Sequence, residues 1–143
     1  MFIELQPLSQ LAITIALCGL IGLERETKKK GAGLQTYSLV GLSACAFTML
    51  AMSLYATDGF APIDLPRVIQ AITTGIGFIG AGLIFKGDKG GIEGLTTAAG
   101  LLVVSAIGVA VGLQNYFLAI SVTAFMLFVF IIFGMLEIKF FHK

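Results

Sequence analysis

Apolar residues occur in five long runs along this chain, near residues 8–23, 37–56, 68–85, 95–113 and 116–136. A helix needs about 17 to 25 predominantly apolar residues to cross a bilayer. The first and third runs are short for this purpose but usable, and together the runs occupy nearly the whole sequence. The pattern therefore predicts an all-α, polytopic membrane helix bundle with about five transmembrane helices. We expect a single transmembrane domain over residues 1–143 and no soluble domain.

The composition and the basic residues support this class of protein and suggest its orientation. Of the 143 residues, 57% are hydrophobic and 12% are charged, whereas a soluble domain has about 25% charged residues. Eight of the nine Lys and Arg residues follow the first, third and fifth runs, and only Arg67 falls on the other side. Because basic loops stay in the cytoplasm, we expect an outside N-terminus and a cytoplasmic C-terminus. The sequence has no basic arm, so a nucleic-acid partner is not expected.

Short motifs recur in the two halves of the chain. GLIG at residues 19–22 is similar to GFIG at 77–80, and GLQT at 33–36 is similar to GLTT at 94–97. These matches favour a 2+2 parallel internal repeat, with a fifth helix outside it. Phe residues distributed around the fifth run predict that this helix is peripheral and faces lipid.

Glycine is concentrated in the third run, where TTGIGFIGAGLIF (residues 73–85) contains four. Each glycine in a helix interior costs about 1 kcal/mol relative to alanine. In lipid, small residues favour association because they allow helix backbones to approach closely. We therefore expect the third helix to be the centre of the bundle. The glycines predicted to pack between helices are Gly19, Gly22, Gly75, Gly77, Gly80, Gly82, Gly108 and Gly112.

Four segments carry a family resemblance: GLIGLERE (19–26), AGLQTYSLVG (32–41), DLPRVIQAITTGIGFIGAGLIF (64–85) and GLTTAAGLLVVSAIGVAVG (94–112). In this order they resemble the MgtC/SapB family of bacterial inner-membrane proteins. The resemblance implies a polytopic protein with an outside N-terminus and a role in magnesium homeostasis or adaptation to low Mg²⁺. Some members are linked to survival inside host cells, but the family does not clearly imply Mg²⁺ transport.

The sequence departs from the family pattern at several places. Gln35 stands where many relatives have Arg, and Tyr37 where many have His. Residues 100–102 replace a stretch that often contains Trp, and the soluble C-terminal domain of many relatives is not expected here. These departures weaken the case for a virulence-type role more than the case for the fold.

Candidate polar residues lie at the ends of the predicted spans. At the inner edge, Glu24, Arg25 and Glu26 form an interfacial helix end, or else Glu24 or Arg25 folds back under the bundle, paired, near Gln35 and Thr36. A fold-back of this kind would give a functional site.

At the outer edge, Asp64 and Arg67 either cap the third helix, which Pro66 would begin, or form a polar site at the outer mouth. Hydroxyl groups form the last set of candidates, because they can either bond to helix backbones or line a polar pocket. They belong to Thr73, Thr74, Thr96 and Thr97.

Enzyme chemistry is not expected, because the sequence offers no nucleophile–base pair, metal-ligand cluster or nucleotide site. The spacing of Gly75, Gly77 and Gly80 matches a dinucleotide fingerprint, but the soluble βαβ setting of that motif is missing. No cofactor is predicted. Mg²⁺ is a candidate ligand, yet it prefers carboxylate and water oxygens, and no cluster of such ligands supports it.

Two hypotheses of function remain open. In the first, the protein regulates a membrane partner, which the scarcity of charge in the span interiors favours. In the second, an oligomer forms a small ion or solute transporter or channel, which the internal repeat favours. The expected partners are the lipid bilayer, a second copy of the chain in a dimer, and another membrane protein complex.

Overall fold

The computed structural model of the chain describes residues 2–56, 64–87 and 91–141. Two of the basic residues counted above, Lys89 and Lys143, lie outside these ranges. The helices are α1 (Phe2–Thr27), α2 (Leu34–Ala56), α3 (Leu65–Leu83), α4 (Leu95–Gly112), α5 (Tyr116–Phe128) and α6 (Gly134–Phe141). A π-helical turn, Val129–Phe133, joins α5 to α6, and the strands β1 (Phe85–Lys86) and β2 (Ile92–Glu93) form an antiparallel pair. The predicted all-α bundle is confirmed.

Four helical segments in the described part are long and apolar enough to cross a membrane: Leu5–Thr27, Leu34–Leu54, Leu95–Gly112 and Tyr116–Leu136. The third predicted run also forms a helix, but α3 is not among these four because Arg67, Gln70 and its glycines lower its hydropathy. It also ends earlier than predicted, since Ile84 is extended and leads into β1. Crossing of the membrane by α3 therefore stays a prediction, as does the internal repeat.

The centre of the bundle is α4. Twelve of its 18 residues are buried, and it contacts α1, α2, α3 and α5. By contrast, α3 buries only Ile76 and Gly80. The prediction that the third helix is central is therefore wrong. In α4, Leu101, Val104 and Ile107 fill the core, and its small residues allow neighbouring helices to approach.

Glycines bring α1, α2 and α4 into close contact. A Cβ atom added at Gly108 would collide with the Gly41 carbonyl oxygen, and one at Gly112 would lie 2.7 Å from Thr48 Cβ. At the other end, a Cβ at Gly22 would lie 2.7 Å from the Cα of Leu34. These distances leave no room for a side chain, as expected where backbones approach closely in lipid.

The glycines of α3 behave differently. Gly75, Gly77 and Gly82 have no atom of another described element within 4 Å of an added Cβ, so they do not pack between the described helices of one chain, and their packing against a second copy stays a prediction. Only Gly80 faces α4, with Ala98 Cβ 3.4 Å away. The reason is rotational: the side of α3 that carries Ile76 and Gly80 faces the core, while Gly75 and Gly77 point away from it and Gly82 borders a cavity at the end of the helix. A Cβ added at Gly19 of α1 would make an ordinary contact with Ser38 Oγ, at 3.4 Å.

The fifth helix lies at the edge of the bundle, as predicted. Its buried residues are Ala119, Thr123 and Met126, while Phe117 and Phe125 are 85% and 72% exposed. Large exposed apolar side chains are the expected surface of a helix that faces hydrocarbon.

The connections at one end of the bundle are tightly built. The first helix ends with hydrogen bonds from Lys30 N to Arg25 O and from Lys29 N to Glu26 O. This is the Schellman arrangement, in which Lys29 takes a left-handed conformation with φ 51°. Between β2 and α4, Gly94 has φ 87°, and an added Cβ would collide with the carbonyl oxygen of Leu83. Only glycine fits this turn without strain.

Candidate functional site at the basic end of the bundle

A cluster of charges lies near the end of α1. The Arg25 Nε donates to Glu24 Oε2, and the Lys28 ammonium nitrogen lies 2.7 Å from Glu24 Oε1. The Arg25 and Glu24 side chains are only 4% and 11% exposed. A buried carboxylate is tolerated only when it is paired. One carboxylate held between two cations leaves this cluster with a net positive charge.

The same two cations hold the fifth helix in place. The guanidinium carbon of Arg25 lies 3.7 Å from the centroid of the Phe130 ring, a cation–π contact. Lys28 Nζ donates to the Phe130 carbonyl oxygen at 3.0 Å. Phe130 belongs to the π-helical turn Val129–Phe133. Such turns interrupt the regular hydrogen bonding of an α-helix and occur frequently at functional sites.

These residues border a cavity of about 1000 Å³ at the basic end of the bundle. The end of α1 and the loop after it form one wall, the β1–β2 hairpin and the start of α4 form a second, and the π-helical turn forms a third. Thr97 is buried, and its carbonyl oxygen accepts a 3.4 Å hydrogen bond from the Tyr37 hydroxyl. Of the predicted site residues, the structure brings Arg25, Thr96 and Thr97 to this cavity, with Glu24 paired behind them.

The other inner-edge candidates do not line the cavity. Glu26 Oε2 accepts a 2.8 Å hydrogen bond from Leu34 N, so this carboxylate caps α2 across the α1–α2 loop. An added Cβ at Gly33 would collide with the same carboxylate. Gln35 is exposed and Thr36 is half-buried on the first turn of α2. The fold-back hypothesis thus applies to Arg25 but not to Gln35 and Thr36.

The outer-edge candidates form local helix contacts. Asp64 Oδ1 accepts from Arg67 N at 3.2 Å, and Arg67 Nε lies 3.4 Å from Asp64 Oδ2, with both side chains more than half exposed. Thr73 donates to Ile69 O, and Thr74 donates to Gln70 O, both at 2.8 Å. These residues support α3 at a distance from the cavity, in agreement with the alternatives of a helix cap and of hydroxyl bonds to the helix backbone.

Three residues that complete the site were not predicted from the sequence: Lys28, Tyr37 and Phe130. Lys28 follows Glu24 by four residues, which is the spacing of an ion pair on one helix face, so a pattern did exist. Tyr37 and Phe130 come from other helices, and nothing in their local sequence indicates the contact of Tyr37 with Thr97 or of Phe130 with Arg25.

The donor set at this end suits anions better than metal ions. Among the described residues, no group of three His, Cys, Asp or Glu side chains could hold a metal. The Glu24 carboxylate near the cavity is already bonded to two cations. What the cavity presents instead is a guanidinium, three lysines and the first turn of a helix.

The helix bundle, its membrane-spanning segments and the charge cluster together define a polytopic membrane protein with a basic cavity at one end. A family model described as "MgtC family" matches residues 11–138, and the chain belongs to this family. It is 37% identical over 142 residues to "Putative magnesium transporter YhiD" of Escherichia coli K12, covering 94% of this chain and 63% of the relative.

Two further relatives come from other bacterial groups. The chain is 40% identical over 111 residues to "Protein MgtC" of Brucella abortus, covering 75% of this chain and 44% of the relative. It is 32% identical over 126 residues to "Protein SrpB" of Synechococcus elongatus, covering 82% of this chain and 69% of the relative. The chain thus spans less than two thirds of the YhiD and MgtC relatives. No solved structure matches it.

Proposed function

We propose that this chain is a non-enzymatic protein of the bacterial inner membrane that helps cells adapt to scarce Mg²⁺ by regulating a membrane partner. Membership of the MgtC family and the name of the E. coli relative support the link to magnesium. The observation that favours regulation over conduction is the close packing of the bundle interior.

Polar side chains inside the bundle are sealed by packed helices. Thr14, Thr48, Ser105 and Thr123 donate to carbonyl oxygens of their own helices. Gln10 of α1 donates to Val111 O at 2.9 Å and so ties α1 to α4. Each of the five side chains is 4% exposed or less. They therefore stabilise the helices and do not border an open path.

Conduction of Mg²⁺ would make heavy demands on such an interior. The ion holds its water tightly and prefers octahedral oxygen ligands, and the hydrocarbon core is about 30 Å thick. Threonine and serine hydroxyls enclosed in packed helices are a poor replacement for the hydration shell. A regulatory role needs no such path.

A partner could dock on α3. Its outward surface carries Gly75 and Gly82 on one face, beside Phe78, which is 84% exposed, and Gly77 on another face about 140–160° away. An added Cβ at any of the three glycines meets no atom of the described residues within 4 Å. Small residues allow close helix approach in lipid. The first occupant we propose is α3 of a second copy in a dimer, and the second is a helix of another membrane complex.

A transporter or channel formed by an oligomer is the second candidate. The word "transporter" in the name of the E. coli relative favours it. In that case the path would lie between protomers, where the outward face of α3 could border it.

Flux measurements separate the two candidates. Deletion of the gene is expected to slow growth at low Mg²⁺, and a plasmid copy should restore it. Purified protein in liposomes is expected to carry no more Mg²⁺ than empty vesicles, as measured with an enclosed Mg²⁺-sensitive dye. Saturable Mg²⁺ uptake by the liposomes would contradict regulation and favour the transporter.

We also propose that the basic end of the bundle faces the cytoplasm. In a variant with Cys18 and Cys45 changed to Ala, a cysteine at Asn115 should react with an impermeant maleimide added to intact cells. A cysteine at Lys29 should react only after the cells are opened. Both positions are exposed, so a difference in labelling would report the side of the membrane and not the burial of the residue. Labelling of position 29 in intact cells would contradict this orientation.

A further inference from the structure

From the cavity geometry we infer a binding site for a phosphate group, carried either by an anionic lipid headgroup or by free phosphate. The cavity holds about 1000 Å³, near the upper end of the range for small-molecule sites. Its lining combines side-chain cations on one wall with the N-terminus of α4 on another. This proposal goes beyond the magnesium-related role and does not depend on it.

The charges on the lining favour an anion. Arg25, Lys28, Lys29 and Lys30 border the cavity, and among the described residues, Glu93 is the acidic residue on the same lining. Glu24 offsets part of the charge of Arg25 and Lys28. Within the described residues, Lys29 and Lys30 form no ion pair, so their charges are available to a ligand.

Arg25 has donors to spare. Its side chain is 4% exposed, and its hydrogen bond within the described residues uses Nε alone. The terminal amino groups therefore have no hydrogen-bond partner in the described part of the chain. Stacking on Phe130 holds the guanidinium in place. A planar guanidinium with a free edge is suited to paired hydrogen bonds with a phosphate.

The first turn of α4 supplies neutral donors on the opposite wall. Gly94, Leu95, Thr96 and Thr97 all border the cavity, and within the described ranges no side chain caps the start of this helix. The free N–H groups and the dipole at a helix N-terminus attract anions. Since α4 has 18 residues, its dipole is fully developed. Cations and helix dipole thus act on the same space.

The rim of the cavity is compatible with a lipid. Leu95, Val129 and Phe133 border it and are 54%, 43% and 55% exposed. An acyl chain could lie on these side chains while its headgroup occupied the basic interior. Basic pockets between transmembrane helices bind lipid headgroups in this way. Free phosphate would use the same donors without contacting the rim.

Binding measurements on paired variants test the site. Native mass spectrometry of the full chain, offered phosphatidylglycerol and phosphatidylcholine together, reports the lipid source. A rise in thermal midpoint of delipidated protein in sodium phosphate, relative to sodium chloride of equal ionic strength, reports free phosphate. The test variant is the double substitution Lys29→Gln and Lys30→Gln. Its control, Lys86→Gln with Lys139→Gln, removes equal charge from residues that do not border the cavity.

The expected result is preferential binding of phosphatidylglycerol, weakened roughly tenfold in the test variant and unchanged in the control. If phosphate raises the midpoint of wild type but not of the test variant, and lipids are not distinguished, the source is free phosphate. If test and control variants respond alike to both probes, the proposal is overturned.

A single substitution separates binding from folding. Lys29 adopts a left-handed conformation, where glycine is favoured. Lys29→Gly is therefore expected to raise the thermal midpoint of ligand-free protein while it weakens phosphatidylglycerol or phosphate binding severalfold. A purely structural lysine would give the first effect without the second, and that outcome would overturn its role in the site.

Discussion

Gly108→Leu is expected to prevent the protein from folding, whereas Gly77→Leu is expected to leave the protomer folded. At Gly108 even a Cβ atom would collide with the Gly41 carbonyl oxygen and lie 3.0 Å from Ala44 Cβ. Overpacking of a core costs about 1–3 kcal/mol, and a whole leucine against backbone should reach or exceed the top of that range. At Gly77 an added Cβ meets nothing within 4 Å.

Alanine variants at the same two positions refine this prediction. Alanine is a better helix former than glycine by about 1 kcal/mol. Gly77→Ala should therefore match or exceed the stability of wild type, while Gly108→Ala should lower it by about 1–3 kcal/mol. For both variants, stability is measured as the thermal midpoint and as the monodisperse fraction on size-exclusion chromatography in mild detergent. Equal losses at the two positions would contradict the central place of α4.

Helix existence could be predicted from the sequence, but helix arrangement could not. Long apolar runs require internally bonded backbone in lipid, so the five helical regions followed from the pattern. Which helix is central depends on how each is rotated, and glycine content does not encode rotation. Gly108 and Gly112 of α4 face Gly41 and Thr48, while the glycines of α3 other than Gly80 have open space beside them among the described residues. Both patterns look alike in the sequence.

The site was partly visible for a similar reason. Residues 24–26 are charged at the end of an apolar run, which marks them as candidates. The sequence does not show that Glu26 turns to cap α2 while Arg25 turns under Phe130. Adjacent residues on a helix point about 100° apart, so neighbouring charges can serve different purposes. The π-helical turn that presents Phe130 has no signature in the sequence.

Loss of the Arg25 charge should destabilise the protein strongly, and the surface pair at the start of α3, Asp64 and Arg67, provides the control. Arg25→Met leaves Glu24, which is 11% exposed, with Lys28 as its remaining cation. It also removes the cation–π contact with Phe130. Breaking a buried pair by removing one partner costs about 3–5 kcal/mol. Since Lys28 still compensates part of the charge, we expect a loss of about 3 kcal/mol.

The same chemical change at Arg67 should have little effect. The Arg67 and Asp64 side chains are 82% and 54% exposed, and exposed ion pairs contribute about 0–1 kcal/mol. Thermal midpoints of Arg25→Met and Arg67→Met in one detergent therefore compare a buried pair with an exposed pair.

A double variant shows whether the loss arises from the unpaired carboxylate. Glu24→Gln combined with Arg25→Met removes the buried negative charge and leaves Lys28, which is 36% exposed and can be solvated. The double variant should be more stable than Arg25→Met alone, because a charge with too few partners is no longer buried. If the two losses simply add, or if Arg67→Met is as damaging as Arg25→Met, the charge cluster does not anchor this end of the bundle.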